Sequence, residues 1–353
     1  MDGTAPISEQ VRQYYGSILQ TNRDLETAAC RSTEALPGLQ QESLSLIHPE
    51  ILEKTYGCGS PIPPAIEGCT VLDLGCGSGR DAYLASRLVG PTGSVIGVDM
   101  TPEQLAVARR HLDWQMARFG YAAPNVDFRA GFIEDLAACG IDDHSVDLVI
   151  SNCVINLSPD KDRVFAEIFR VLKPGGELYF SDVFAGRRVP EDLQRDPVLR
   201  GECLGGALYV EDFRRLMRRV GCADHRVVSR RSITLDDPAV DARAGMIDFC
   251  AMTIRAFRLP DLEDICEDYG QTVTYLGTVA GLPHRFLLDD HHLFITGKVM
   301  LVCGNTAAML GETRFARHFR LTGDRSVHFG PFDCAPVAAP AAAGDTSSGG
   351  SCC

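Results

Sequence analysis

The stretch VLDLGCGSGRD, residues 71–81, indicates the fold class of this 353-residue chain. It begins as an apolar run, which predicts a buried strand, and it ends in a loop rich in glycine. Glycine has no Cβ atom, so a ligand can approach the backbone of such a loop closely. Dinucleotide dehydrogenases have a similar loop, and the loop alone therefore does not identify the ligand.

Strands and helices alternate along the chain from residue 70. Further strands are predicted at SVIGVDM, NVDFRAG, VDLVISNC and GELYFSDVF. Helices are predicted at DAYLASRLVG, TPEQLAVARRHLDWQMARFG, where Thr101 is the expected N-cap and Pro102 the first residue, and KDRVFAEIFRVLKPGG. This alternation predicts a doubly wound parallel sheet, whose ligands lie beyond the carboxyl ends of its strands.

Changes in pattern divide the chain into four segments. Residues 1–69 contain an amphipathic helix and loop-like stretches, and we expect them to form an N-terminal cap on the α/β domain of residues 70–260. Between residues 261 and 334, alternating strands and a helix at GNTAAMLGETRFARHF predict a small α+β C-terminal domain. Residues 335–353 form a low-complexity tail that has too little apolar bulk to fold.

The composition narrows the class of function. The 34 Lys and Arg residues against 47 Asp and Glu residues give a net charge of −13, which disfavours binding to nucleic acid. The N-terminus has no signal peptide pattern, and no apolar run is long enough for a membrane span, so we expect a cytoplasmic protein that does not bind membranes. In such a protein the 14 cysteines indicate thiol, soft-metal or redox chemistry.

Four elements in order resemble the S-adenosylmethionine site of class I methyltransferases, which have a Rossmann-like fold. They are the glycine loop with Asp73 two positions before Gly75, Asp99 at the end of the second strand, GFIEDL at 131–136, and LKPGGEL at 172–178. Asp99 stands where an acidic residue binds ribose hydroxyls. The resemblance implies a donor site formed by Tyr14, Asp73, Gly75, Cys76, Gly77, Arg80, Asp99, Met100, Phe132, Ile133, Glu134 and Asn152. Tyr14 could face the sulfonium cation, although an aromatic residue that packs in an amphipathic helix is an equal alternative.

Cys153 follows the fourth strand, whose end faces the acceptor pocket in the methyltransferase fold. Three further motifs contain a cysteine: TAACRSTE has Cys30, KTYGCGSPIPP has Cys58, and GECLGGALYVEDF has Cys203. With the N-terminal YYG and with IDFCAMTIRAFRL and RFARHF near the end, these segments resemble arsenite methyltransferases over residues 10–330. In that family, cysteines in the four contexts bind and process the metalloid.

The chemistry agrees with this resemblance. Trivalent arsenic is a soft centre that selects thiolates, and three thiolates leave its lone pair free to attack the sulfonium methyl. The resemblance implies that Cys58, Cys153 and Cys203 ligate As(III) as catalytic residues, and that Cys30 exchanges a disulfide with Cys58. It also implies mono- and dimethylated products, a substrate in the form of thiol conjugates, and a thiol reductant such as glutathione or thioredoxin.

Two other functions are also compatible with the sequence. A methyltransferase for a quinone or sterol would share the core but would have an apolar acceptor pocket. A noncatalytic metalloid-binding thiol protein would have no use for the Asp73 to Asp99 motifs. Outside the site, the Asp-Asp-His-His run at 289–292 is either a metal pair or, as we expect, a hairpin tip, and the terminal Cys352 and Cys353 could chelate a thiophile.

Overall fold

The computed structural model describes residues 9, 11, 12, 14, 38–55, 57, 59, 61–201, 203–235 and 238–334. Its centre is an eight-stranded sheet in the order β3-β2-β1-β4-β5-β8-β7, with β6 paired to β5. These strands are β1 (Thr70–Leu74), β2 (Ser94–Asp99), β3 (Val126–Ala130), β4 (Val146–Asn152), β5 (Leu172–Ala185), β6 (Leu208–Tyr209), β7 (His225–Ile233) and β8 (Phe249–Phe257). The predicted α/β fold of the class I methyltransferase type, with its doubly wound sheet, is confirmed.

The strands near the centre of the sheet are apolar along most of their length because both faces are covered. β1 pairs in parallel with β2 on one side and with β4 on the other. A parallel strand that is buried on both faces has a continuous apolar run, as Val71 and Leu72 illustrate. The strand order reverses between β1 and β4, so the crevice for a ligand opens at the carboxyl ends of these two strands.

The structure describes eleven α-helices, of which the last belongs to the C-terminal region. They are α1 (Gly38–Leu44), α2 (Pro49–Glu53), α3 (Arg80–Val89), α4 (Pro102–Arg110), α5 (Leu112–Phe119), α6 (Lys161–Val171), α7 (Glu191–Gln194), α8 (Pro197–Gly201), α9 (Val210–Arg219), α10 (Pro238–Ala244) and α11 (Gly304–Gly311). Short 3₁₀ helices lie at Ile155–Leu157 and Ala316–His318. No helix in the described part of the chain combines the length and the apolar character that crossing a bilayer requires.

The single helix predicted from Thr101 to Gly120 is wrong at one point, because the structure divides it at His111 into α4 and α5. The His111 ring stacks on His48 at a centroid distance of 3.7 Å, and its Nε2 lies 2.6 Å from Glu50 Oε2. The break in the helix therefore coincides with a tertiary contact to α2, which local helical spacing does not reveal. Thr101 is the N-cap residue and Pro102 begins the helix, as predicted, but the Thr101 side chain makes no capping hydrogen bond.

The Lys-Pro-Gly-Gly stretch, predicted to form a turn between α6 and the fifth strand, lies within β5 as an irregularity. Leu172 pairs with Val146 and Glu177 pairs with Leu148, so the intervening residues form a bulge in the strand. β8 then inserts antiparallel between β5 and β7, and every residue of β8 is buried. The sequence pattern did not predict β7 and β8. A buried strand without alternation, such as β8, resembles any other apolar run, whereas β7 is polar and only partly buried.

The C-terminal region has its own apolar cluster and three small antiparallel sheets. Its strands are β9 (Glu267–Asp268), β10 (Thr272–Tyr275), β11 (Arg285–Asp289), β12 (His292–Ile295), β13 (Val299–Leu301), β14 (Phe319–Thr322) and β15 (Gly330–Pro331). The helix predicted from Gly304 to Phe319 is too long, since α11 ends at Gly311 and Phe319 begins β14, which pairs with β10. The hairpin of β11 and β12 has Asp289 opposite His292 at its tip, as predicted.

Candidate active site

The glycine loop between β1 and α3 takes a backbone conformation that requires glycine. Gly75, Gly77 and Gly79 have φ angles of 68°, 52° and 94°, in the left-handed region that side chains disfavour. A Cβ atom on Gly75 would lie 2.4 Å from the Val154 side chain, so Gly75 is also the point of closest approach to the loop after β4. The loop therefore places its backbone at the open end of the sheet.

Two buried carboxylates lie beside this loop. Asp99 at the end of β2 accepts hydrogen bonds from the backbone N–H groups of Gly77 and Thr101, both at 2.8 Å. Asp73 is 2% exposed, and its Oδ2 has no hydrogen-bond partner among the described residues. Burial raises the pKa of Asp73 well above its usual value, and the neighbouring charges of Asp81 and Asp99 raise it further. An unpartnered buried carboxylate oxygen needs a donor, which a cationic ligand group would supply.

Eleven of the twelve residues predicted for the donor site line one cleft. They are Asp73, Gly75, Cys76, Gly77, Arg80, Asp99, Met100, Phe132, Ile133, Glu134 and Asn152. The half-exposed Phe132 and the buried Ile133 supply apolar surface, and the Glu134 carboxylate contacts the Ser158 hydroxyl. The twelfth residue, Tyr14, is buried in an apolar cluster that also contains Cys153 and Cys203.

Arg80 and Asn152 are both tied to Asp81 at the rim of the cleft. Arg80 Nη1 lies 2.9 Å from Asp81 Oδ1, while Asn152 Nδ2 donates to Asp81 Oδ2 and to the carbonyl of Gly59, each at 3.0 Å. Asn152 thus joins the end of β4 to α3 and to the segment before β1. The cleft is consequently fixed on three sides by hydrogen bonds between distant parts of the chain.

Cys203 contacts Cys153, which lines the cleft, although 50 residues separate the two cysteines. The Cys203 thiol donates to the Cys153 carbonyl at 3.0 Å, and both sulfurs belong with an Asp182 oxygen to a group whose atoms lie within 4.8 Å of one another. Both cysteines have positive φ angles, 56° and 67°, which is uncommon for residues other than glycine. The structure thus brings these two sequence motifs together, and their role as arsenic ligands stays a prediction.

Close backbone contacts position the Cys203 segment. A Cβ atom on Gly206 would lie 2.0 Å from the Asn156 carbonyl oxygen, so only glycine permits this approach to the loop after β4. A Cβ atom on Gly201 would lie 2.7 Å from the Tyr14 ring. The glycines of GECLGG therefore explain why the segment packs tightly between Tyr14 and the loop that contains Cys153.

Asp182 is the residue of this site that sequence reasoning missed. It lies in β5, is 1% exposed, and accepts hydrogen bonds from Asn156 Nδ2 at 2.7 Å and from the Val183 N–H at 2.8 Å. Burial raises the pKa of Asp182 to about 7, while hydrogen bonds from the backbone N–H groups of Val183 and Asn156 and the charge of Lys161 act in the opposite direction. A charged residue inside the apolar run FSDVF was the available signal, since such a residue is rarely buried without a role or a partner.

The structure holds Cys153 in a disulfide bond, whereas the other cysteines among its described residues form none. The Cys153 sulfur must be in its reduced form to act as a thiolate. The predicted disulfide exchange between Cys30 and Cys58 lies outside the described residues, as do both of these cysteines and the Cys352 and Cys353 pair.

The two neighbours of Cys58 do lie at the site. A Cβ atom on Gly57 would be 2.5 Å from the Asn152 amide, and one on Gly59 would be 2.6 Å from the Ser181 hydroxyl. Asn152 precedes Cys153, and Ser181 accepts the Cys153 N–H through its carbonyl at 2.8 Å. Gly57 and Gly59 therefore pack against the side chains of two residues, Asn152 and Ser181, that are adjacent in sequence or hydrogen-bonded to Cys153.

The remaining motifs have structural explanations. Cys76 packs beneath Gly97, and burial raises the pKa of its thiol well above the usual value. Cys250 is buried in β8 opposite Phe184. At the hairpin tip, Asp289 is fully buried and bound by Arg226 at 3.2 Å and by His292 at 2.7 Å.

Comparisons with known proteins agree with this architecture. Residues 66–221 match the profile of a methyltransferase domain, and residues 269–353 match that of the arsenite methyltransferase C-terminal domain. An arsenite methyltransferase of Aquipseudomonas alcaligenes is 54% identical over 92% of this chain and 93% of its own length. That of Mus musculus is 44% identical over 90% and 84%. The crystal structure of an arsenic(III) S-adenosylmethionine methyltransferase from Chlamydomonas reinhardtii has a TM-score of 0.82 and 52% identity, and the match covers 85% of this chain and 100% of that one.

Proposed function

The chain belongs to the arsenite methyltransferase family, and we propose that it transfers methyl groups from S-adenosylmethionine to trivalent arsenic bound by cysteine thiolates. Mono- and dimethylated arsenic are the proposed products. The observation that carries the proposal is the meeting of Cys153 and Cys203 beside a cleft of the donor-binding type. This acceptor side, with two cysteine sulfurs and the Asp182 carboxylate, does not support the alternative of a purely apolar quinone or sterol pocket.

The cleft suits S-adenosylmethionine, which supplies a methyl group on a sulfonium sulfur. The unpartnered Oδ2 of Asp73 would accept a hydrogen bond from its ammonium group. Asp99 would accept hydrogen bonds from the ribose hydroxyls, since each carboxylate oxygen can accept a further hydrogen bond besides the one from a backbone N–H. Ile133 and Phe132 would cover the adenine, and the glycine loop would follow the amino-acid portion. Tyr14 remains a predicted part of the site, and its burial against Gly201 supports a role on the acceptor side.

Three thiolates, from Cys58, Cys153 and Cys203, would hold the arsenic substrate. The packing of Gly57 and Gly59 against Asn152 and Ser181 supports the inclusion of Cys58. Each exchange replaces an As–O bond by an As–S bond, and the departing hydroxide leaves as water with the thiol proton. The position of Asp182 near both sulfurs suits it to pass that proton.

We assign the thiol reductant, such as glutathione or thioredoxin, two tasks. The disulfide at Cys153 supports the first, which is to free this thiol before arsenic binds. The second follows from electron balance: methylation of the arsenic lone pair formally removes two electrons from arsenic. A pair of cysteines, proposed to be Cys30 and Cys58, returns them by forming a disulfide, and an external thiol reopens it. Cys30→Ser should then lose repeated turnover of arsenite yet retain activity toward monomethylated trivalent arsenic.

Product analysis tests the proposal. Wild-type chain is incubated with arsenite, S-adenosylmethionine and glutathione, and the arsenic species are separated and quantified. We expect methylated arsenic from the wild type, none from Cys203→Ser, and wild-type amounts from Cys222→Ser, whose thiol is equally buried but remote in the fold. A protein that binds arsenite but forms no methylated product would be a noncatalytic thiol protein, and equal activity of Cys203→Ser would remove Cys203 from the ligand set.

A further inference from the structure

Three cysteines outside the proposed active site come together in the C-terminal region. The sulfurs of Cys266, Cys303 and Cys334, here called the three-thiol cluster, all lie within 4.8 Å of one another. All three thiols are free. Cys303 is fully buried, whereas Cys266 and Cys334 are partly exposed, so a small solute can reach the cluster from one side.

The fold builds this cluster from three separate segments. β9 and β15 pair antiparallel, with Glu267 opposite Pro331, and the Phe332 N–H donates to the Cys266 carbonyl at 2.8 Å. This short ladder fixes the backbones that carry Cys266 and Cys334. Cys303 is the N-cap residue of α11, where its sulfur accepts the Thr306 N–H at 3.5 Å. The three thiols are thus held by secondary structure and do not meet by chance on a loop.

A buried positive charge faces the cluster from β7 of the central sheet. Arg226 is 8% exposed, and its Nη2 donates to the Cys303 sulfur at 3.8 Å. It also donates to Asp224, Asp289 and the Thr306 hydroxyl and contacts His292 Nδ1, and these partners hold the guanidinium in place. Cations and helix N-termini favour the thiolate, which is the form that ligates metals.

The number and type of the side chains in the three-thiol cluster indicate which kind of ion it would bind. Thiolates prefer soft centres, and a structural zinc site takes four protein ligands. Among the described residues, no fourth Cys, His, Asp or Glu atom belongs to the cluster. Three thiolates with no fourth ligand match a trivalent metalloid, which forms three bonds and keeps a lone pair.

We propose that the three-thiol cluster is a second, noncatalytic binding site for a trivalent thiophilic metalloid. Binding of arsenite replaces three As–O bonds with three As–S bonds to Cys266, Cys303 and Cys334. Three thiol protons leave with the three hydroxides as water, and no redox partner is needed. Arsenite is chosen as the probe because of the proposed function. The inference that the cluster binds a soft centre with three bonds does not depend on that function.

The test isolates the cluster within the full chain. A background variant replaces by serine the proposed active-site cysteines and those of the tail, namely Cys30, Cys58, Cys153, Cys203, Cys352 and Cys353. After reduction with a phosphine and addition of arsenite, unbound arsenic is removed and the ratio of arsenic to protein is measured. We expect a ratio near one, with three sulfur neighbours in the arsenic X-ray absorption spectrum.

Further substitutions in this background separate ligation from folding. Cys266→Ser and Cys334→Ser change partly exposed thiols, and each should weaken arsenite binding at least tenfold. Cys69→Ser, a buried thiol elsewhere, is the matched control and should leave binding unchanged. The proposal would be overturned if the background variant, with its thiols shown to be reactive, bound no arsenic. It would also be overturned if the bound arsenic had oxygen among its three neighbours, or if a zinc ion with four ligands occupied this position.

A second measurement uses the unmodified chain, so that no variant has to fold. The reduced wild-type protein is alkylated with iodoacetamide in the presence and absence of arsenite, and the modified cysteines are mapped by mass spectrometry. We expect arsenite to protect Cys266 and Cys334 together. Equal alkylation with and without arsenite would contradict the proposal independently of the methylation assay.

Discussion

The two cysteines at the proposed acceptor site have an unusual backbone. Only four described residues other than glycine have a positive φ angle, and Cys153 and Cys203 are two of them. The left-handed conformation costs an L-residue roughly 1–2 kcal/mol. Hydrogen bonds maintain it, because the Cys153 N–H binds the Ser181 carbonyl at 2.8 Å and the Cys203 N–H binds the Arg200 carbonyl at 3.2 Å. We interpret this strain as the cost of directing both sulfurs to one point.

A pair of substitutions at Cys203 tests the strain. Cys203→Gly and Cys203→Ala both remove the sulfur, but only glycine accepts the positive φ without cost. We therefore expect the glycine variant to be more stable by about 1 kcal/mol in urea unfolding. The same pair at Cys222, which is buried and is not among the residues with positive φ, should show the opposite order. If the alanine variant were more stable than the glycine variant at both positions, the backbone at Cys203 would not be strained.

Asp99 provides a second test at the level of a single residue. Its carboxylate is placed to accept hydrogen bonds from the donor's ribose, and hydrogen bonds to a charged group are worth about 1.5–3 kcal/mol. Asp99→Ala should accordingly weaken binding of S-adenosylmethionine by roughly 10- to 100-fold in calorimetry and leave arsenite binding intact. Asp127→Ala, which removes an exposed acid from β3, serves as the control. Unchanged affinity for the donor would show that Asp99 does not contact it.

At the scale of elements, a buried ion pair connects the sheet to the C-terminal region. Arg255 in β8 and Glu177 in β5 are 1% and 0% exposed, and Arg255 Nε lies 2.6 Å from Glu177 Oε1. Arg255 Nη1 also donates to the Leu288 carbonyl in β11 at 2.6 Å, and Arg314 reaches the other Glu177 oxygen at 2.5 Å. The side chains of Arg255 and Glu177 therefore join three elements, β5, β8 and β11.

Removal of one partner from this pair should be costly. Arg255→Met leaves the Glu177 carboxylate buried with one of its two guanidinium partners missing, and we expect a loss of about 3–5 kcal/mol in the free energy of unfolding. The double variant Arg255→Met with Glu177→Gln should recover part of that loss, because the buried carboxylate is no longer charged; the recovery is partial because Arg314 loses its own ion pair with Glu177. Denaturant unfolding of both variants and of Glu177→Gln measures the coupling. Additive effects of the two substitutions would contradict a direct interaction.

The same scale explains which features the sequence predicted. β1, the glycine loop and Asp99 were predictable because each depends on neighbours within a few residues. Asp182 was not, because its closeness to Cys203 follows from the packing of β5 against a distant loop. The three-thiol cluster was missed for the same reason, since it arises only when β9 pairs with β15. The break at His111 likewise depends on a contact with α2, which no local pattern contains.

For the whole molecule, the donor cleft concentrates negative charge in a chain whose net charge is already −13. Asp73, Asp81 and Asp99 are all buried and all line this cleft. Burial is the largest cause of the raised pKa of Asp73 and also of Asp99, and Arg80 is the cation that partly compensates at Asp73. The ligand-free molecule therefore holds carboxylates whose charge a cationic donor would relieve.

This arrangement predicts how stability depends on pH. The folded state raises the pKa of Asp73, so it binds this proton more tightly than the unfolded state does. The stabilisation by Asp73 is complete below the unfolded value of about 3.9 and is lost as pH rises through the folded pKa. Asp73→Asn removes this pH-dependent loss of stability, because the asparagine side chain does not ionise. The variant should thus gain stability relative to wild type as pH rises above about 4, by at most about 1.4 kcal/mol per pH unit.

Urea unfolding of the ligand-free proteins across this pH range measures the difference. Asp127→Asn, which changes an exposed acid, is the control and should run parallel to wild type. Asp81, Asp99 and Arg80 face Asp73 and are present in all three proteins, so their titration largely cancels in the comparison. Saturating S-adenosylmethionine should narrow the gap between Asp73→Asn and wild type, because its cationic group favours the ionised carboxylate. Curves for Asp73→Asn that run parallel to wild type at every pH would mean that Asp73 is not held protonated by the fold.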